Sequence, residues 1–123
     1  MNLLIDTQVL VWLLSGDPRL RQNWVEQFGD PETRVCVSAI TAWEYTDLQQ
    51  RGRLPVEESI ADIQSLFALE ILDLPAACWT VAERLPDIHR DPVDRMLIAH
   101  ALVSDLVLVT ADASMKQYPV RTL

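Results

Sequence analysis

Lysine occurs once, at Lys116, and nine scattered arginines face eighteen acids, so the 123-residue chain carries a formal charge of −8. That balance excludes a broad basic face, and with it non-specific binding of nucleic acid through phosphate neutralisation. It leaves open a nucleic-acid enzyme whose bound metal supplies positive charge locally. The close arginine pairs, Arg51/Arg53 and Arg90/Arg95, read as solvated surface. Cysteine is also scarce: Cys36 and Cys78 are too few for a disulfide framework, lack metal-finger spacing and read as buried thiols. No apolar run reaches the roughly 18 residues of a membrane span, because Asp6 and Gln8 interrupt the first one. Met1 to Ile5 shows neither a cationic leader nor a cleavage pattern, so a cytoplasmic protein without membrane attachment is expected. Repeats, low-complexity stretches and long linkers are missing too. With half its residues hydrophobic, a chain of this length is expected to form one domain, residues 1–123, around one core.

What is present is a set of short aliphatic runs, Leu3 to Ile5, Val35 to Val37, Glu70 to Leu72 and Leu106 to Val109, patterned like strands covered on both faces. Helical segments alternate with them. Pro18, Pro55, Pro75 and Pro92 are each placed as a first helical residue, where a missing N–H costs nothing. A helix opening near Ser38 is predicted to stop at Gly52, suited to the left-handed position past a helix end. Alternating strands and helices imply a three-layer α/β/α domain with a mainly parallel sheet. In such a domain, sites form outside the carboxyl ends of the strands.

Acids stand at those ends. Asp6 follows the first strand, Asp112 lies just past the last, and Glu44 and Asp94 fall near helix starts. Glu44 shares a helical stripe with Ile40 and Leu48, where a carboxylate needs a partner. Asp91, Pro92 and Asp94 match a helix-start signature with Asp91 as the cap, yet one acid would suffice for capping. Two carboxylates about 4 Å apart repel by roughly 4 kcal/mol at an effective dielectric near 20. A helix N-terminus returns only about 0.3–1 kcal/mol. If the acids meet, a cation is the natural resolution, and an all-oxygen set suits Mg²⁺ or Mn²⁺ rather than Zn²⁺. His89 and His100 are read as surface or interface residues.

The ordered set Asn2-Leu3-Leu4-Ile5-Asp6-Thr7, Val37 to Glu44 with Gly52-Arg53-Leu54, His89 to Ala101, and Leu108 to Asp112 resembles PIN domains, most closely the small VapC-type ribonuclease toxins of bacterial toxin–antitoxin pairs. The resemblance implies Asp6, Glu44, Asp94 and Asp112 as a catalytic quartet holding one or two divalent ions, with Asp91 as an additional metal-contacting acid. It further implies hydrolysis of RNA phosphodiesters to 5′-phosphate and 3′-hydroxyl ends, homodimerisation, and inhibition by a cognate antitoxin. Thr7 and Thr110 match small hydroxyl residues that accompany the quartet. Trp12, Trp24, Trp43 and Trp79 are divided between core packing and partner anchoring. Three departures touch substrate contacts: Gln8 stands where relatives often carry His, Val93 where Phe is frequent, and Tyr45 to Leu48 where a lysine is common. Two other functions compete, a catalytically silent binding module of the same fold and a phosphoacceptor signalling domain. The second wants paired acids after the first strand and a lysine after a late one, and this chain offers Asp6 alone there and a displaced Lys116.

Overall fold

The computed structural model describes residues 1–123. Four strands, β1 (Asn2–Ile5), β2 (Arg34–Ser38), β3 (Glu70–Leu72) and β4 (Val107–Val109), pair in the order β3-β2-β1-β4, every pair parallel. All four lie where the aliphatic runs put them. The helices are α1 (Thr7–Ser15), α2 (Gln22–Phe28), α3 (Ala39–Gln50), α4 (Ile60–Phe67), α5 (Cys78–Glu83) and α6 (Pro92–Val103), with a 3-10 turn at Met115–Gln117.

Strand alternation sorts the core into two layers. Leu3, Ile5, Val35, Val37, Val107 and Val109 pack on one face with Val9 and Leu10 of α1, Trp24 of α2, Tyr45 of α3 and Ile63 of α4. Leu4, Cys36 and Leu108 point the other way, onto Leu97, Ile98 and Ala101 of α6 and onto Met115 and Tyr118. The sheet is thus covered on both faces, giving the three-layer α/β/α arrangement. Both cysteines are free and buried. Trp12 and Trp24 join the core, whereas Trp43 and Trp79 stay more than half exposed.

The proline rule holds only at Pro92, which follows the Asp91 cap of α6. Pro18 sits in a turn closed by the Asp17 carboxylate on the Arg19 amide, and α2 starts four residues later at Gln22. Pro55 precedes an extended stretch, and α4 waits for Ser59, whose reciprocal capping box with Asp62 satisfies two otherwise unpaired N–H groups. Pro75 lies just ahead of the turn into α5, which begins at Cys78. A side-chain cap rather than the proline sets the start of α4, whereas α2 and α5 begin without one.

The end of α3 follows the glycine expectation. Arg53 N–H reaches the Leu48 carbonyl and Gly52 N–H the Gln49 carbonyl, both at 3.0 Å, with Gly52 at φ 67°. This double closure is the Schellman pattern, and it needs the left-handed residue at Gly52.

Candidate active site

Strand β1 is flanked by β2 on one side and β4 on the other, so the chain reverses its direction of travel across the sheet at β1. Such a switch point opens a crevice beyond the carboxyl ends of the two strands. A cleft of about 670 Å³ lies there, and Asp6, Glu44, Asp91, Asp94 and Asp112 all line it. Two helices, α3 and α6, and the loops after β1 and β4 deliver these acids.

Asp6 leaves β1 and caps α1, its Oδ1 accepting from Val9 N–H at 2.8 Å. It is therefore both the turn residue and a cleft acid. Burial raises its pKa; the Thr110 hydroxyl and the Val9 amide pull it down, and nearby Asp112 and Glu44 push it up again. Glu44 projects from α3, half-buried, and its Oε1 accepts the Thr7 hydroxyl. The stripe shared with Ile40 and Leu48 runs along the edge of the helix face, while Thr41 and Tyr45 occupy its buried centre.

Asp94 is the third residue of α6. Burial first, then Asp91, raises its carboxyl to about 7; His89 opposes the shift, and Glu44 and Asp6 reinforce it. Asp91 is exposed and acts as the helix cap, its Oδ1 accepting from the Val93 amide at 2.9 Å and the Asp94 amide at 3.2 Å. Asp112 turns the chain after β4: its Oδ1 accepts from the Ser114 amide at 2.9 Å and hydroxyl at 2.7 Å. Burial would raise the Asp112 carboxyl, but these bonds together with His89 leave it below its ordinary value.

Three residues read as surface from the sequence are otherwise. His89 places Nε2 3.0 Å from Asp94 Oδ2 and 3.3 Å from Asp112 Oδ2. Arg95, far from solvated, gives its guanidinium to the carbonyls of Ala82, Leu85, Pro86 and His89 and to Tyr118 Oη. His100 also differs from its surface reading: it is buried, with Nδ1 2.9 Å from Ser38 Oγ at the start of α3. The only sequence signal for His89 was its position two residues before the Asp91 cap.

The cleft wall also holds Trp12, Arg19, Arg53, Leu48, Leu54 and Pro55. Arg19 is spent on Asp17, at 2.8 Å, and on the Trp12 ring face, 4.8 Å from its centroid. Arg53 makes no ion pair. Neither cysteine lines the cleft, so its donors are oxygens with one imidazole at the rim. Lys116 is exposed and does not line it, which removes the cation that a phosphoacceptor pocket requires.

The family profile described as PIN domain matches residues 3–120. No curated protein sequence matches the chain. Among solved structures, VapBC2 from Rickettsia felis bound to a promoter DNA fragment aligns with a TM-score of 0.75 at 18% identity, covering 100% of this chain and 98% of that one. DNA-bound VapBC from Salmonella typhimurium gives 0.70 at 21% identity, covering 100% and 97%. VapC20 from Mycobacterium tuberculosis, described as a sarcin–ricin loop cleaving toxin, gives 0.65 at 17% identity, covering 94% and 93%. At these identities the likeness is one of fold.

Proposed function

The chain belongs to the PIN domain family, and from that premise we propose that it is a metal-dependent endoribonuclease of the VapC toxin type, restrained by a cognate antitoxin. The observation that carries the proposal is the convergence of Asp6, Glu44, Asp94 and Asp112 on one cleft at the switch point of the sheet. A protein that only needed helix caps would not bury one of its acids beside others so that its carboxyl rises to about 7.

The donor set fits a hard cation. Its carboxylates share one cleft and no thiol joins them, which favours Mg²⁺ or Mn²⁺, one ion or two. Asp6 and Asp94 are the principal ligands in this reading, and Glu44 and Asp112 complete a second site or orient water. Asp91, with Oδ1 already taken by two amides, contributes at the periphery. Bound there, the ion supplies Lewis-acid activation of a phosphodiester and a water of lowered pKa.

The chain's own residues do the rest. The Thr7 hydroxyl holds the Glu44 carboxylate, and Thr110 steadies Asp6 from beneath. Arg53, free of carboxylates at the cleft wall, takes a phosphate next to the scissile one. With so few cations available, RNA is selected by shape and by exposed bases rather than along a basic trough. Hydrolysis of RNA is supported by the likeness to a sarcin–ricin loop cleaving toxin, and an antitoxin partner by the likeness to VapBC assemblies. Trp43 and Trp79 offer exposed aromatic anchors for a second copy or for the antitoxin. A cytoplasmic site of action belongs to the same reading.

The test is incubation of purified protein with total RNA, with Mg²⁺ and with a chelator, alongside Asp6→Asn and Asp94→Asn. Cleavage should require the metal and vanish in both variants, while circular dichroism shows the fold retained. The competing silent module predicts antitoxin binding with no metal-dependent cleavage from the unmutated protein.

A further inference from the structure

We propose that His89 is a positioning residue of the acid centre: it presents an Nε2–H donor that holds Asp94 and Asp112 in a fixed relation, and is itself locked in place by Arg95 and Tyr118. The inference rests on the metal-dependent reading above and assigns a role to a side chain outside the acid quartet.

The ring's tautomer follows from its surroundings. Asp91 N–H donates to His89 Nδ1 at 3.2 Å. An imidazole that accepts at Nδ1 carries its hydrogen at Nε2. The Nε2–H therefore points between Asp94 Oδ2, 3.0 Å away, and Asp112 Oδ2, 3.3 Å away. Acting instead as a metal ligand through Nε2, the ring would carry its hydrogen on Nδ1, opposite the Asp91 amide, and two donors would face each other. That amide cannot easily turn away, because Asp91 is the cap of α6. The geometry thus separates His89 from the ligands even though its ring nitrogen lies within 4.8 Å of the carboxylate oxygens.

The backbone of His89 is held from both sides. Its N–H donates to Tyr118 Oη at 2.7 Å, and its carbonyl accepts from Arg95 Nη1 at 3.3 Å. Arg95 Nη1 also donates to Tyr118 Oη at 3.2 Å, which closes the triangle. The other Arg95 bonds, to the carbonyls of Ala82, Leu85 and Pro86, fasten the end of α5 and the following loop to α6. A guanidinium satisfied wholly by neutral acceptors gains no carboxylate attraction, so its role here is geometric. Arg95 stands next to Asp94 in the chain, so one turn of α6 supplies an acid together with the clamp that aims a histidine at it.

The consequence falls on Asp94 and Asp112, which arrive from α6 and from the loop after β4 and repel each other. A shared donor between them keeps the pair close without a cation. Asp112 Oδ1 is fixed by Ser114, whereas Asp94 Oδ1 accepts no hydrogen bond and stays open for a ligand. Partners that orient ligands in this way are worth about 10–100-fold in metal affinity.

Mn²⁺ titration of the full chain, followed by electron paramagnetic resonance, tests this. His89→Ala should weaken Mn²⁺ binding by about 10-fold or more, with His89→Gln, which keeps a donor near the same place, restoring most of it. The Mn²⁺ spectrum of the unmutated protein should show no ¹⁴N coupling from a directly bound imidazole. Tyr118→Phe should weaken binding in the same direction by a smaller factor, and it carries the test if His89→Ala does not fold. Unchanged affinity in a folded His89→Ala, a Gln variant as weak as Ala, or ¹⁴N coupling that disappears with His89 would each overturn the role. Tight Mn²⁺ binding with the expected variant pattern but no RNA cleavage would leave this inference standing and overturn the nuclease. Unmutated protein that takes up no Mn²⁺ would overturn both.

Discussion

At the scale of single residues, Asp94 concentrates the physics of the site. Its carboxyl rises from 3.8 to about 7, chiefly by burial and then by Asp91. The folded state therefore holds this proton more tightly than the unfolded chain. The contribution to stability is full below pH 3.8 and is lost as pH climbs through about 7. A cation reverses the balance by requiring the ionised form. The increase in melting temperature on adding Mg²⁺ should accordingly be larger at pH 8 than at pH 6, and Asp94→Asn should flatten that difference; equal increments at both pH values would contradict the assignment. His100 has the opposite sign. Burial lowers its pKa from 6.5, so its contribution is present above that value and disappears as pH falls through the lowered one. Urea midpoints measured from pH 7 down to pH 5 should drop further for the unmutated protein than for His100→Gln, which cannot titrate. Several acids also proved to have two duties. Asp6, Asp91 and Asp112 each spend Oδ1 on a local N–H and leave Oδ2 free of that turn. For these side chains, capping and site-building did not compete.

At the scale of elements, helix α3 shows how local chemistry sets the position of a cleft acid. Ser38 opens it with a side chain that accepts from Ile40 N–H, and Gly52 closes it, so Glu44 is held between two defined ends. No atom lies within 4 Å of where a Gly52 side chain would begin, so any penalty there comes from the backbone alone. Gly52→Ala should cost about 1–2 kcal/mol in guanidinium unfolding, with no steric component. Ser59→Ala should cost about 1 kcal/mol by breaking the capping box of α4. Both limits of α3 were legible in the residues, whereas the Ser59 start of α4 was not. The prolines misled at three starts out of the four assigned, because a proline only permits a helix start: α4 waits for its Ser59 cap, and α2 and α5 open with no side-chain cap at all.

At the scale of the whole molecule, the charge of −8 and the cleft must be considered together. Only Arg19 and Arg53 line the cleft, and Arg19 is already paired with Asp17. A single phosphate contact, from Arg53, at about 0.7 on a single strand would give a log–log salt slope near −0.7 for RNA binding by the cleavage-deficient Asp6→Asn protein. A slope steeper than about −4 would reveal a basic surface supplied by something other than these two residues.

The strands, their coverage on both faces and the acids at their ends were determined by the sequence itself. Each depends on local patterning, a run of aliphatic residues followed by a polar stop. The convergence of Asp6, Glu44, Asp94 and Asp112 was an inference from topology, and it needed the order β3-β2-β1-β4 to become a single cleft. The roles of His89, Arg95 and His100 were decided only by the tertiary structure. Their partners lie far along the chain, His89 with Asp112 across 23 residues and His100 with Ser38 across 62, and no local pattern encodes a contact at such range. A histidine reads alike on a surface and between two carboxylates until packing brings the carboxylates to it.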